Sequence, residues 1–90
     1  MARRAGNRQR EAGALHTLGI TLRAAGDVAE SRRFHEAALA IWRDLNYLNG
    51  VAGALNSLGE LAHAEGAVAT ARSLFEESLA GFQELGARRF

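Results

Sequence analysis

The chain has 90 residues, 48% of them apolar and 23% charged, with a formal net charge of +1 and no cysteine. That length supports one small domain, which buries only about 60% of the surface its unfolded form exposes, and the apolar content excludes a disordered chain. Without thiols there are no disulfides, no thiolate zinc sites and no cysteine catalysis.

The opening stretch, Met1 to Arg8, carries arginines and lacks the apolar core of a secretion signal, so a cytoplasmic protein is expected. Arg3, Arg4, Arg8 and Arg10 form the one basic cluster. It is too short for the sustained basic stripe that nucleic acid requires, and it reads as a solvated, frayed terminus. From Arg8 to Ala25 the apolar positions Leu15, Leu18, Leu22 and Ala25 step by three and four, which predicts a helix. Gly26 stops it, and Asp27 with Glu30 three residues on reads as a capping box for the next helix. That second helix runs from about Val28 to Leu45, with Val28, Ser31, Phe34, His35, Ala38, Leu39, Trp42 and Leu45 facing inward. Asn46, which tolerates the left-handed conformation, closes it.

The same plan then returns. A third helix is predicted from Leu48 to Glu65, and Gly66 breaks it. A fourth runs from Val68 to Leu85, with Val68, Ala71, Leu74, Phe75, Leu79, Phe82 and Leu85 inward, and Gly86 ends it. The longest unbroken apolar run, Ala37 to Trp42, is too short to cross a bilayer. Aligning residues 11–50 with 51–90 without a gap gives identity at 15 of 40 positions, among them Gly13-Ala14-Leu15 with Gly53-Ala54-Leu55 and Leu18-Gly19 with Leu58-Gly59. A fixed period of that size marks a repeat architecture. The first unit spans about 7–46 and the second about 47–86, with 87–90 as the start of an incomplete third. The whole of 1–90 is one domain: an all-α fragment of a solenoid, four antiparallel helices as two stacked helical hairpins.

Gly19 and Gly59 sit mid-helix, where glycine costs about 1 kcal/mol relative to alanine. Close approach of the paired helix explains them, with Gly19 expected to face Ser31 and Gly59 to face Ala71. Trp42 is expected to pack on the incoming third helix. Phe82, its counterpart, would need a further unit to cover it. Ala67 stands where Asp27 caps, so the last helix lacks that acceptor.

At these residues the chain resembles the tetratricopeptide repeat. Leu15, Leu18, Gly19 and Leu22 fit its first-helix pattern, Gly26-Asp27 its internal turn, and Ala71 and Phe75 its second-helix alanine and aromatic; Leu55, Leu58, Gly59 and Gly66 carry the second match. Ser31 and His35 depart from the pattern, as do Ala62 and Ala67 and the absence of proline. The forty-residue period is similar to the longer repeats of bacterial signal-transduction ATPases and transcription regulators and of kinesin light chains. The eleven arginines with no lysine, beside much alanine and glycine, fit a GC-rich bacterial genome.

The resemblance implies a groove lined by outward residues of the first helix of each hairpin: His16, Ile20, Arg23, Asn56, Glu60 and His63. It implies a non-enzymatic module that binds a partner peptide or helix in that groove or through an uncapped end bearing Phe82 and Phe90. The alternatives are a self-assembling unit that binds further copies of itself, or the sensor arm of a larger bacterial regulator. A metal site is not expected, since His16, His63 and Glu60 lack ligand spacing. No nucleophile and base pair or phosphate-binding loop is present, so no enzyme and no cofactor is expected. His35, aligned with Phe75, is expected to be a packing residue, neutral when folded.

Overall fold

Three residues with positive φ punctuate the backbone twenty positions apart: Gly26 at 88°, Asn46 at 54° and Gly66 at 82°. In the computed structural model, which describes residues 2–88, they separate α1 (Ala2–Ala24), α2 (Val28–Asp44), α3 (Leu48–Ala64) and α4 (Val68–Arg88). Each turn has the same two hydrogen bonds. The N–H of Asp27 donates to the Leu22 carbonyl at 2.8 Å and that of Gly26 to Arg23 at 2.9 Å. Tyr47 to Trp42 with Asn46 to Arg43, and Ala67 to Ala62 with Gly66 to His63, repeat the pair. This is the Schellman ending, in which a left-handed residue lets the next N–H groups reach back to carbonyls the helix has left unpaired. Asn46 adopts it between the two hairpins as the glycines do within them.

The expected capping box at Asp27 is half formed. Its carboxylate accepts from the Glu30 N–H at 3.4 Å. The return bond from Glu30 has no donor to reach, because the Asp27 N–H is already committed to Leu22. Glu30 instead accepts from Arg33 Nη1 at 2.9 Å. Neither Tyr47 before α3 nor Ala67 before α4 supplies a side-chain cap.

Two boundaries differ from the sequence expectation. The first helix begins at Ala2 rather than near Arg8, and the last continues through Gly86 to Arg88. Gly6 and Gly86 share the forty-residue register of Asn46 but sit inside helices with no turn to make. Mid-helix glycine costs only about 1 kcal/mol, which a helix otherwise able to propagate absorbs. Ala87 and Arg88, read as the opening of a third unit, are the last residues of α4, and Phe90 lies outside the described residues.

Spatial order follows chain order. α1 packs on α2, α2 on α3 and α3 on α4, and α1 meets α3 only lightly, in a body of 39 × 27 × 16 Å. The core sits across the α2–α3 junction, where Leu39, Trp42, Leu55, Leu58 and Leu61 are buried with Ala38 and Ala54. Burying a leucine or tryptophan stabilises by about 2–3 kcal/mol, so these side chains hold the two hairpins together. Among the described residues no helix is long and apolar enough to cross a membrane.

Candidate functional site

The missing Cβ atoms of three helical glycines set how close the helices lie. A Cβ at Gly19 would stand 2.7 Å from the His35 ring, and one at Gly59 would stand 2.7 Å from Phe75. At Gly50 it would stand 2.3 Å from the Trp42 indole. Gly19 also meets Ser31, as its sequence position suggests: the Ser31 hydroxyl donates to the Gly19 carbonyl at 2.6 Å in a buried contact. Gly59 does not take Ala71 as its nearest neighbour, because the α3–α4 crossing turns the larger Phe75 ring onto it. The second hairpin has its own buried hydroxyl bond, from Ser78 to the Ala52 carbonyl at 2.7 Å. Ser78 was not among the inward positions expected of the fourth helix, although its counterpart in the first unit, Ala38, was, and the steps from Ala71 through Phe75 to Phe82 pass through it.

His35 is buried and lies with its Nδ1 3.0 Å from that of His16. One ring's N–H donates to the other's lone pair. Burial, with His16 and Arg23 nearby, lowers the His35 pKa from 6.5 to about 4, and burial lowers that of His16. The pair is therefore neutral in the folded protein at pH 7. His16 also sits edge-on to Trp42, ring centroids 5.4 Å apart, and Tyr47 follows at 6.3 Å from Trp42.

The six groove residues are placed as follows. Arg23 and Glu60 are brought together, Nη1 to Oε1 at 3.0 Å, across the two hairpins. His16 is half-buried against His35 and Trp42. Ile20 is 52% exposed. Asn56 and His63 are also exposed, and His63 borders a depression described below. Two further pairs join the hairpins, Arg32 with Glu65 and Arg43 with Glu77. The first fifty residues hold eight arginines and the last forty hold three. These pairs give that gradient a structural reason, since arginines of the first unit meet glutamates of the second. Exposed pairs of this kind are each worth at most about 1 kcal/mol. Among the described residues there is no group of three or more metal-capable side chains.

The second exposed feature is the outer side of α4. Val68 and Leu79 are 67% and 57% exposed, against the inward positions expected for them, and Phe82, which needs a further unit to cover it, is 45% exposed. The reason is the register of the repeat. Their counterparts Leu39 and Trp42 are 8% and 7% exposed because α3 covers them, while Val28 is half-buried. Nothing follows α4 among the described residues to do the same. The result is a shallow depression of about 380 Å³ bordered by His63, Val68, Ala71, Arg72, Phe75, Glu76 and Leu79. Arg72 and Glu76, both exposed, pair with each other at its edge at 3.6 Å.

A family model described as tetratricopeptide repeat matches residues 10–85. Comparison with curated proteins and with solved structures gave no match.

Proposed function

Because the chain belongs to the tetratricopeptide-repeat family, a family of protein-interaction scaffolds, we propose that it is a non-enzymatic module that binds a protein partner through the uncovered face of α4. The carrying observation is the exposure of Val68, Leu79 and Phe82 on a face whose equivalent in the first unit lies beneath a helix. An apolar patch held open in this way on a repeat protein marks an interaction site. A helical partner segment fits it, since the occupant of the equivalent face is itself a helix.

The groove is the second surface in this reading. Ile20, Asn56 and His63 are exposed there, whereas Arg23 and Glu60 already satisfy one another and His16 is half-buried. A partner bound in the groove therefore has to compete with the Arg23–Glu60 pair, and the α4 face has no such competitor among its apolar residues. The sensor arm of a larger bacterial regulator is one setting for such a module, and a cytoplasmic location belongs to the same reading.

The test uses the wild-type chain, Leu79→Glu and Ile20→Glu as baits, with each candidate partner purified and re-tested alone. A binary complex that Leu79→Glu abolishes and Ile20→Glu leaves intact is the expected result. Loss with Ile20→Glu alone moves the site to the groove, and retention with both variants overturns the two surfaces together.

A further inference from the structure

The internal repeat supplies a template for what the α4 face accepts. Val68, Arg72, Leu79 and Phe82 stand forty residues after Val28, Arg32, Leu39 and Trp42, with one aromatic exchanged for another and the other three unchanged. In the first unit the equivalent face is occupied by α3, whose contacts can be followed residue by residue.

α3 runs antiparallel to α2. Near its start Gly50 admits the indole of Trp42, which stands near the end of α2. Just past its last turn Glu65 pairs with Arg32, near the start of α2. Between these contacts Ala54, Leu58 and Leu61 join Leu39 and Trp42 in one buried cluster. Positions 50, 54, 58, 61 and 65 advance by four, four, three and four, so they share one side of the helix. The α2 face is thus covered by small, small, leucine, leucine and acid, in that order.

The charges of α4 call for the same order. Arg32 is held by Glu65 and its side chain is 33% exposed. Its counterpart Arg72 is 79% exposed and turns instead to Glu76 on its own helix. An exposed pair of that kind is a weak competitor for a carboxylate presented from across the interface. The equivalent places at the first helix of this chain are Arg10, Ala14, Leu18, Thr21 and Ala25. They keep the second small residue and the first leucine, and lack the glycine, the second leucine and the acid.

From the repeated face, the packing of α3 on α2 and the exposed Arg72, we infer that the α4 face takes an amphipathic helix of another protein that runs antiparallel to α4. That helix has glycine or alanine against Phe82, two leucines against Leu79, and aspartate or glutamate fifteen residues after the first small residue, against Arg72. This rests on the reading of that face as the binding surface and states which partner it selects.

The probe is a synthetic helical peptide with glycine, alanine, leucine, leucine and glutamate at the spacing of positions 50, 54, 58, 61 and 65 and with alanine, glutamine and lysine elsewhere. It is titrated into the isotope-labelled chain and followed by amide NMR shifts, beside sedimentation equilibrium of the chain alone. Saturable shifts centred on Val68, Arg72, Leu79 and Phe82 are expected, and Leu79→Glu is expected to abolish them. Arg72→Glu is expected to weaken binding about tenfold, since it replaces an attraction by a repulsion. A probe with arginine in place of its glutamate is expected to prefer Arg72→Glu to the wild-type chain, and a probe with the order of the five residues reversed to bind more weakly than the original. Absence of saturable shifts overturns the inferred occupant, as does binding indifferent to the charge exchange or to the order of the residues. A chain that self-associates through Leu79 and excludes the probe assigns the face to a second copy and overturns it too. In each of these cases the face itself is still judged by its own test, the loss or retention of a foreign partner with Leu79→Glu.

Discussion

His16 and His35 approach Nδ1 to Nδ1 at 3.0 Å across the α1–α2 contact, beneath Gly19 and beside Trp42. The second hairpin has Asn56 and Phe75 at the same places, so only the first hairpin carries a titratable pair in its packing.

That asymmetry sets a pH dependence. In the unfolded chain His35 takes up a proton near pH 6.5, and in the folded protein only near pH 4, because burial and the neighbouring His16 and Arg23 oppose the charge. The unfolded state therefore binds more protons between those values, and stability falls as pH falls through that window. The loss begins near pH 6.5, reaches about 3 kcal/mol near pH 4, and levels off below. Urea melts of wild type and His35→Phe at steps from pH 7.5 to 4 check this. The variant is expected to keep most of its stability across the window, and parallel curves would remove His35 as the cause.

Gly50 and Gly53 lie in the same helix and respond in opposite directions to the same change. A Cβ at Gly50 meets the Trp42 indole at 2.3 Å, whereas nothing stands within 4 Å of one at Gly53. Gly50→Ala is expected to destabilise by about 2 kcal/mol or more through displacement of the indole. Gly53→Ala is expected to stabilise by about 0.5–1 kcal/mol through backbone entropy. Thermal melts under one condition separate the two, and a shared sign would mean that Trp42 does not rest on Gly50.

Ser31 and Ser78 each place a buried hydroxyl on a carbonyl of the preceding helix, at different levels of the two hairpins. Replacing either by alanine is expected to cost about 1 kcal/mol. The double change is expected to cost the sum within a few tenths, because the sites share no partner. A double variant that costs no more than one of the singles would show the hairpins to be coupled through these bonds.

Much of this was legible from the chain. The spacing of Leu15, Leu18 and Leu22, and the return of Gly19 as Gly59, gave four helices and their pairing, because periodicity and punctuation are local properties. The neighbours of those glycines were less so. Ser31 and Ala71 follow from a simple small-against-small rule, but the rotation of each second helix about its own axis brings the His35 and Phe75 rings onto the glycines as well. The Ser78 bond was hidden because a serine in a helix gives no sign of whether a bare carbonyl faces it. The pairing of Arg23 with Glu60, 37 residues away, could be anticipated only as a charge gradient, since which residues meet depends on how one hairpin lies on the next. Val68 and Leu79 were read as inward because the pattern describes a helix within an array, and burial depends on what stands opposite.

The turns at Gly26, Asn46 and Gly66 have one geometry, and every extensive helix contact is between neighbours in sequence. Folding therefore needs no long loop closure, which favours rapid formation, and any adjacent pair of helices can start it. With the largest buried side chains gathered where α2 meets α3, the middle of the chain, and not either hairpin, is where amide protons should exchange most slowly.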